Sequence, residues 1–152
     1  MMRRLQCEIV TAERRVYAGE ATQVVAPTTS GEVTILPRHA PLLTALAPGV
    51  IELGRPGQDD LLLAVGGGFM EVANDRVVIL ADSAERADEI DADRARRARE
   101  RAEALLKQRE SDLEFAKAEA ALRRALARLK VVERAQYRRG RRAGPGPTGD
   151  QS

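Results

Sequence analysis

The sequence predicts an α+β fold, with an N-terminal antiparallel β-sandwich or barrel followed by a C-terminal antiparallel hairpin of two helices. Three observations carry this prediction. Up to about Ala84 the chain is rich in β-branched residues, glycine and proline, whereas from Asp88 to Arg142 it has no proline and only Gly140 as a glycine. Short apolar runs in the first half are separated by turn-forming residues. In the second half alanine and leucine recur at alternating spacings of three and four, the rhythm of a helical seam. With 152 residues, the chain has room for one ordinary domain and an appendage rather than two large cores. The composition shift between Ala84 and Asp91 divides it into a sandwich over 1–86, a hairpin over 87–137 and a basic, polar tail over 138–152 that is expected to be disordered.

Strand signals fall at Leu5 to Val10, Ala21 to Ala26, Val33 to Leu36, Gly49 to Leu53, Leu61 to Val65, Gly68 to Val72 and Arg76 to Ala81. The turns between them have recognisable chemistry. Ala26-Pro27-Thr28-Thr29-Ser30-Gly31 and Arg55-Pro56-Gly57 mark reversals, and Asn74-Asp75 predicts a tight hairpin between the flanking strands. Gly66-Gly67-Gly68 lacks the lysine and Ser/Thr of a phosphate loop and precedes no helix, so it predicts a bend or a close backbone approach. Pro37 and Pro41 bracket a stiff loop that carries His39, the chain's single histidine, which is expected to be hydrogen-bonded within its loop.

In the second half, Ala95, Ala98, Ala102 and Leu105 form one predicted seam, and Phe115, Ala118, Leu122, Ala125, Leu129 and Val132 form the other. Ser111 and Glu114 fit a capping box at the start of the second helix, and Asp91 is a natural N-cap for the first, with Ile90 as its staple. A turn near Gln108 to Ser111 sets Arg94 level with Ala125, which brings Arg94, Arg124 and Arg128 together across the seam. Like charges there oppose closure unless an anion bridges them, and paired guanidinium donors suit phosphate. Alanine seams bury few methylene groups, each contributing roughly 0.8 kcal/mol, so the hairpin is expected to close only marginally.

Composition excludes several classes of function. One histidine, one cysteine and scattered carboxylates supply neither a nucleophile with its base nor a metal-ligand set. Cys7 has no disulfide partner in the chain, which fits a reducing compartment and an inert thiol. The N-terminus lacks an apolar stretch of signal-peptide length, and no run approaches the roughly 18 apolar residues of a membrane span. The formal charge of +2 is an uneven balance, with arginines and carboxylates crowded in the second half, and most of these form an ordinary solvated face.

The stretch Gly31-Glu32-Val33-Thr34-Ile35-Leu36-Pro37-Arg38-His39-Ala40-Pro41, with Ile9-Val10-Thr11 before it and Gly66-Gly67-Gly68-Phe69-Met70-Glu71-Val72 after it, resembles the epsilon subunit of bacterial F-type ATP synthases. The likeness runs from about Leu5 to Tyr137, although Ala12 and Thr34 stand where that family usually has proline and often has glycine. The resemblance implies a noncatalytic rotor subunit at the cytoplasmic face of the bacterial plasma membrane. Its sandwich would link the gamma subunit to the c-subunit ring, with Glu32 and His39 as rotor contacts.

The segment Ile90-Asp91-Ala92-Asp93-Arg94-Ala95 is also similar to the ATP-binding motif of these subunits, with Glu85 before it. By that resemblance Glu85, Ile90, Asp91 and Ala95 would surround the adenosine end of ATP, while Arg94, Arg101, Arg124 and Arg128 hold phosphates or order one another. ATP would be a regulatory ligand and no cofactor is required; the involvement of Mg²⁺ is left open. With the hairpin extended, Arg123, Arg124, Arg128 and Arg134 would meet acidic residues of the alpha and beta subunits. Two alternatives compete: a nucleic-acid-binding module with arginine-rich helices on a β scaffold, and a rotor coupler whose hairpin does not sense ATP.

Overall fold

A computed structural model describes residues 3–108 and 111–142. Eight strands, β1 (Leu5–Val10), β2 (Arg15–Ala21), β3 (Gln23–Thr28), β4 (Gly31–Ile35), β5 (Leu42–Gly54), β6 (Leu61–Ala73), β7 (Arg76–Ala81) and β8 (Ala84–Arg86), precede two helices, α1 (Ala92–Gln108) and α2 (Asp112–Arg142). The strands run in the order β2-β1-β7-β6-β5-β3-β4, with β8 paired to β6. Every pairing is antiparallel except β1 with β7, whose register sets Gln6 opposite Arg76 and Val10 opposite Leu80.

The two long strands make the sandwich. β5 and β6 pair along their whole length, so their two ends serve different neighbours: Gly68 to Ala73 bonds to β7, while Leu63 to Val65 bonds to β8. The interior is filled by alternate residues of the strands, among them Leu5, Ile9, Ile35, Ile51, Leu53, Leu63, Met70 and Ile79, all fully buried. Each such side chain contributes roughly 1.5–3 kcal/mol.

β6 runs on through Gly66-Gly67-Gly68 as one strand, where two separate strands were expected. Gly67 and Gly68 take φ of +114° and +133°, and a Cβ on Gly68 would stand 2.1 Å from the carbonyl oxygen of Leu80. The backbones of β6 and β7 therefore approach as closely as the glycine run predicts. Asn74 and Asp75 both lie in the left-handed region, at φ 51° and 59°, and close the two-residue hairpin as expected.

A short 3₁₀ turn over Ala87–Glu89 follows β8, held by Arg86 N–H donating to Glu89 Oε1 at 3.1 Å. Asp91 then caps α1 through its side chain, accepting from Arg94 N–H at 3.1 Å. Ser111 Oγ accepts from Glu114 N–H at 3.1 Å and starts α2 in the same way. The connection at Arg109 and Glu110 lies outside the described residues. The seam between the helices consists of Ala95 and Ala102 against Ala118 and Ala125, all buried. Leu105 departs from expectation at 54% exposed, while Leu106 beside it is half-buried. α2 continues past Tyr137 to Arg142, and the rest of the expected tail, 143–152, lies outside the described residues.

Candidate functional site

α2 has two apolar faces. One meets α1. The other sets Ala127 and Val131 against Leu62 and Ala64 of β6, with Val50, Ala87 and Ile90 packed around them. The hairpin therefore lies folded back on the sandwich. Three arginines of α2 reach across this contact: Arg128 Nε donates to Glu85 Oε1 at 2.6 Å, Arg134 Nη1 stands 3.0 Å from Glu52 Oε1, and Arg138 Nη1 donates to the Asp60 carbonyl at 2.5 Å.

The residues expected around ATP separate into two groups. Glu85, Arg124 and Arg128 line one small cleft with Ala64, Gly66 and Ser83, near the middle of β6 beneath α2. Ile90 packs in the apolar cluster under the helix, and Ala95 is buried in the interhelical seam. Arg94 and Arg101 stand exposed on α1, form no wall of that cleft, and make no ion pair among the described residues. Asp91 spends one carboxylate oxygen on its own helix cap. The side chains of Arg128 and Glu85 are 31% and 29% exposed, so their pair is shielded more than a surface pair and less than a core one.

Of the residues expected to reach the catalytic head, Arg123 bonds Glu119 one turn back at 2.8 Å, Arg128 holds Glu85 and Arg134 holds Glu52. In the folded-back form these guanidinium groups have intramolecular acceptors. Glu32 is exposed on β4, and His39 is half-buried with Nδ1 2.7 Å from the Ala40 carbonyl, within its loop as anticipated. That loop is tied down by Asp75, whose carboxylate accepts from Arg38 N–H at 2.6 Å and pairs with Arg3 at 2.9 Å. Arg38 itself sits at φ 71°. One carboxylate thus joins the chain start, the His39 loop and the β6–β7 turn.

One feature escaped the residue-by-residue reading. Leu43, Phe69 and Leu80 are 73%, 58% and 55% exposed, and they stand on one sheet face. Phe69 pairs directly with Leu80, and Leu43 pairs with Glu71, two residues along the same strand face. A signal existed: Val77-Val78-Ile79-Leu80-Ala81 is apolar on both faces, whereas a strand with one solvated face should alternate.

Two protein-family descriptions match this architecture: the ATP synthase delta/epsilon chain beta-sandwich domain over residues 4–87, and the delta/epsilon chain long alpha-helix domain over residues 88–133. Together they define a subunit built of a sandwich and a helical appendage. The ATP synthase epsilon chain of Moorella thermoacetica is 52% identical over 131 residues, covering 86% of this chain and 98% of that one. That of Herpetosiphon aurantiacus is 53% identical over 129 residues, covering 85% and 94%. The chain belongs to the ATP synthase delta/epsilon family, as an epsilon-type subunit of the central stalk. A chain of the Euglena gracilis mitochondrial ATP synthase structure shares the fold at a TM-score of 0.72 and 23% identity, over 88% of this chain and 81% of that one.

Proposed function

We propose that this chain couples the gamma subunit to the c ring, without catalytic chemistry of its own, and that its hairpin senses ATP and restrains ATP hydrolysis. It would act at the cytoplasmic face of the bacterial plasma membrane and reach the membrane only through the complex; no helix among the described residues is long and apolar enough to cross one. The apolar face around Leu43, Phe69 and Leu80 suits a protein partner, and gamma is the occupant this reading assigns to it. Glu32 and His39 are assigned to the c ring.

The observation that carries the regulatory half is the way α2 is held. Its docking surface is a satellite cluster far smaller than the sandwich core, supplemented by two partly exposed ion pairs. An element held so weakly is open to bias by a ligand that prefers one arrangement by a few kcal/mol. In this reading ATP phosphates draw Arg94 and Arg101 of α1 toward Arg124 and Arg128 of α2, and Arg128 exchanges Glu85 for phosphate. Glu85 is thereby freed for the adenosine end beside Ile90, Asp91 and Ala95. Without ATP the hairpin leaves the sandwich, Arg123, Arg128 and Arg134 exchange their internal acceptors for acidic residues of the alpha and beta subunits, and Arg124 joins them there.

A second reading is favoured by the engagement of Asp91 in its cap and of Arg128 with Glu85: a coupler whose hairpin is indifferent to nucleotide. Calorimetric titration of ATP into the chain separates the two, with GTP as control and Asp91→Ala/Arg94→Ala alongside. Saturable one-to-one binding of ATP by the unmodified chain, lost in the double variant, is the expected result. No heat, or equal heat in the variant, leaves the mechanical coupler.

A further inference from the structure

The matched helical domain ends at residue 133, yet α2 continues to Arg142. This continuation carries two of the three arginine contacts that tie the hairpin to the sandwich. Arg134 pairs with Glu52 of β5 at 3.0 Å, and Arg138 donates to the Asp60 carbonyl, just before β6, at 2.5 Å. Arg138 and Arg139 form one wall of a cleft whose other wall carries Asp59, Asp60 and Asp88. Arg55 and Arg86 also line it, but they donate to the backbone carbonyls of Asp59 and Val16. Arg138 and Arg139 of the helix thus share this cleft with Asp59, Asp60 and Asp88.

We infer that the stretch of α2 from Arg134 onward is a clamp that biases the hairpin toward the folded-back form, whether or not a nucleotide is bound. The apolar part of the docking contact is small beside the sandwich core: Ala127 and Val131 meet Leu62 and Ala64, edged by the partly buried Val50, Ala87 and Ile90. Against so small a contact, two charge-assisted bonds weigh heavily. The Arg134 and Glu52 side chains are 37% and 32% exposed, so salt screens the pair in part. Together the two contacts are expected to shift the docked-to-undocked ratio about tenfold at low salt. The clamp acts by ordinary electrostatics on docking itself. Its consequence for hydrolysis rests on the regulatory reading above.

Thiol labelling of the full chain tests the clamp without ATP or any partner. Ala127 is 5% exposed, so the thiol introduced by Ala127→Cys reports undocking of α2, while the buried native Cys7 reports opening of the sandwich. Adding Glu52→Ala with Arg138→Ala is expected to raise the labelling rate at position 127 about tenfold at low salt, with Cys7 unchanged and the difference shrinking at 1 M salt. The exchange Glu52→Arg with Arg134→Glu, made with Arg138 intact, is expected to return the rate toward its starting value. An unchanged rate at position 127 overturns the clamp, and so does a parallel rise at Cys7, which would mean that the contacts hold the sandwich. In reconstituted ATP synthase, Glu52→Ala with Arg138→Ala is expected to deepen inhibition of hydrolysis severalfold. Faster labelling with unchanged inhibition would retain the clamp and overturn the regulatory reading.

Discussion

Cys7 sits 2% exposed in the sandwich core, and burial pushes its thiol up to about 12, with the neighbouring Glu8 carboxylate acting in the same direction. A folded-state value above the unfolded one, near 9, contributes stability that is complete below pH 9 and is lost as pH rises through 12. Tyr17 is displaced upward as well, chiefly by burial, and has the same sign. The unmodified chain is therefore expected to lose stability from pH 9 toward 12 more steeply than Cys7→Ala, in denaturant melts compared across that range. Its thiol is expected to stay silent to labelling reagents at pH 8. The burial of Cys7 is what a lone cysteine in this composition leads one to expect, and it is found. The reach of Asp75 was not legible in the sequence, because Arg3, Arg38 and Asp75 are far apart in sequence and meet only where three segments converge.

At the scale of elements, the alanine spacing identified both helices and their antiparallel pairing, and Asp91 and Ser111 identified their starts. Ala118 and Ala125 are buried in the seam, at 3% and 0% exposed. Ala125→Leu is accordingly expected to destabilise the hairpin by about 1–3 kcal/mol through overpacking. Circular dichroism melts would show this as an earlier loss of helix, while the sandwich transition stays in place. Three strand features were not legible, each for a local reason. β2 alternates weakly, with Gly19 and charged residues in it; β8 has three residues; and β5 runs through Pro48, a residue that normally argues against a strand interior. β6 passes through Gly66-Gly67-Gly68 because its neighbour approaches so closely that only glycine fits at Gly68.

Over the whole molecule, the sandwich presents an apolar face on one set of strands and carries the folded-back hairpin against β5 and β6. Phe69 is 58% exposed, so Phe69→Glu removes little buried packing beyond its contact with Leu80 and is expected to change the melting midpoint by no more than a few degrees. If that face is where gamma docks, the same change should abolish co-purification of the chain with gamma. Retained co-purification would move the interface elsewhere on the sandwich.

The sequence by itself determined the class of fold, the division near Ala84 to Asp91, the hairpin turn at Asn74-Asp75 and the family, because these depend on local periodicity, turn chemistry and motif order. Only the tertiary structure decided that β1 runs parallel to β7 and that Arg128 turns to Glu85. It also decided that Leu43, Phe69 and Leu80 share one uncovered face and that α2 beyond Glu133 grips Glu52 and Asp60. Each of these joins residues distant in the chain, and such pairings are set by how the layers stack, a property that no local pattern encodes.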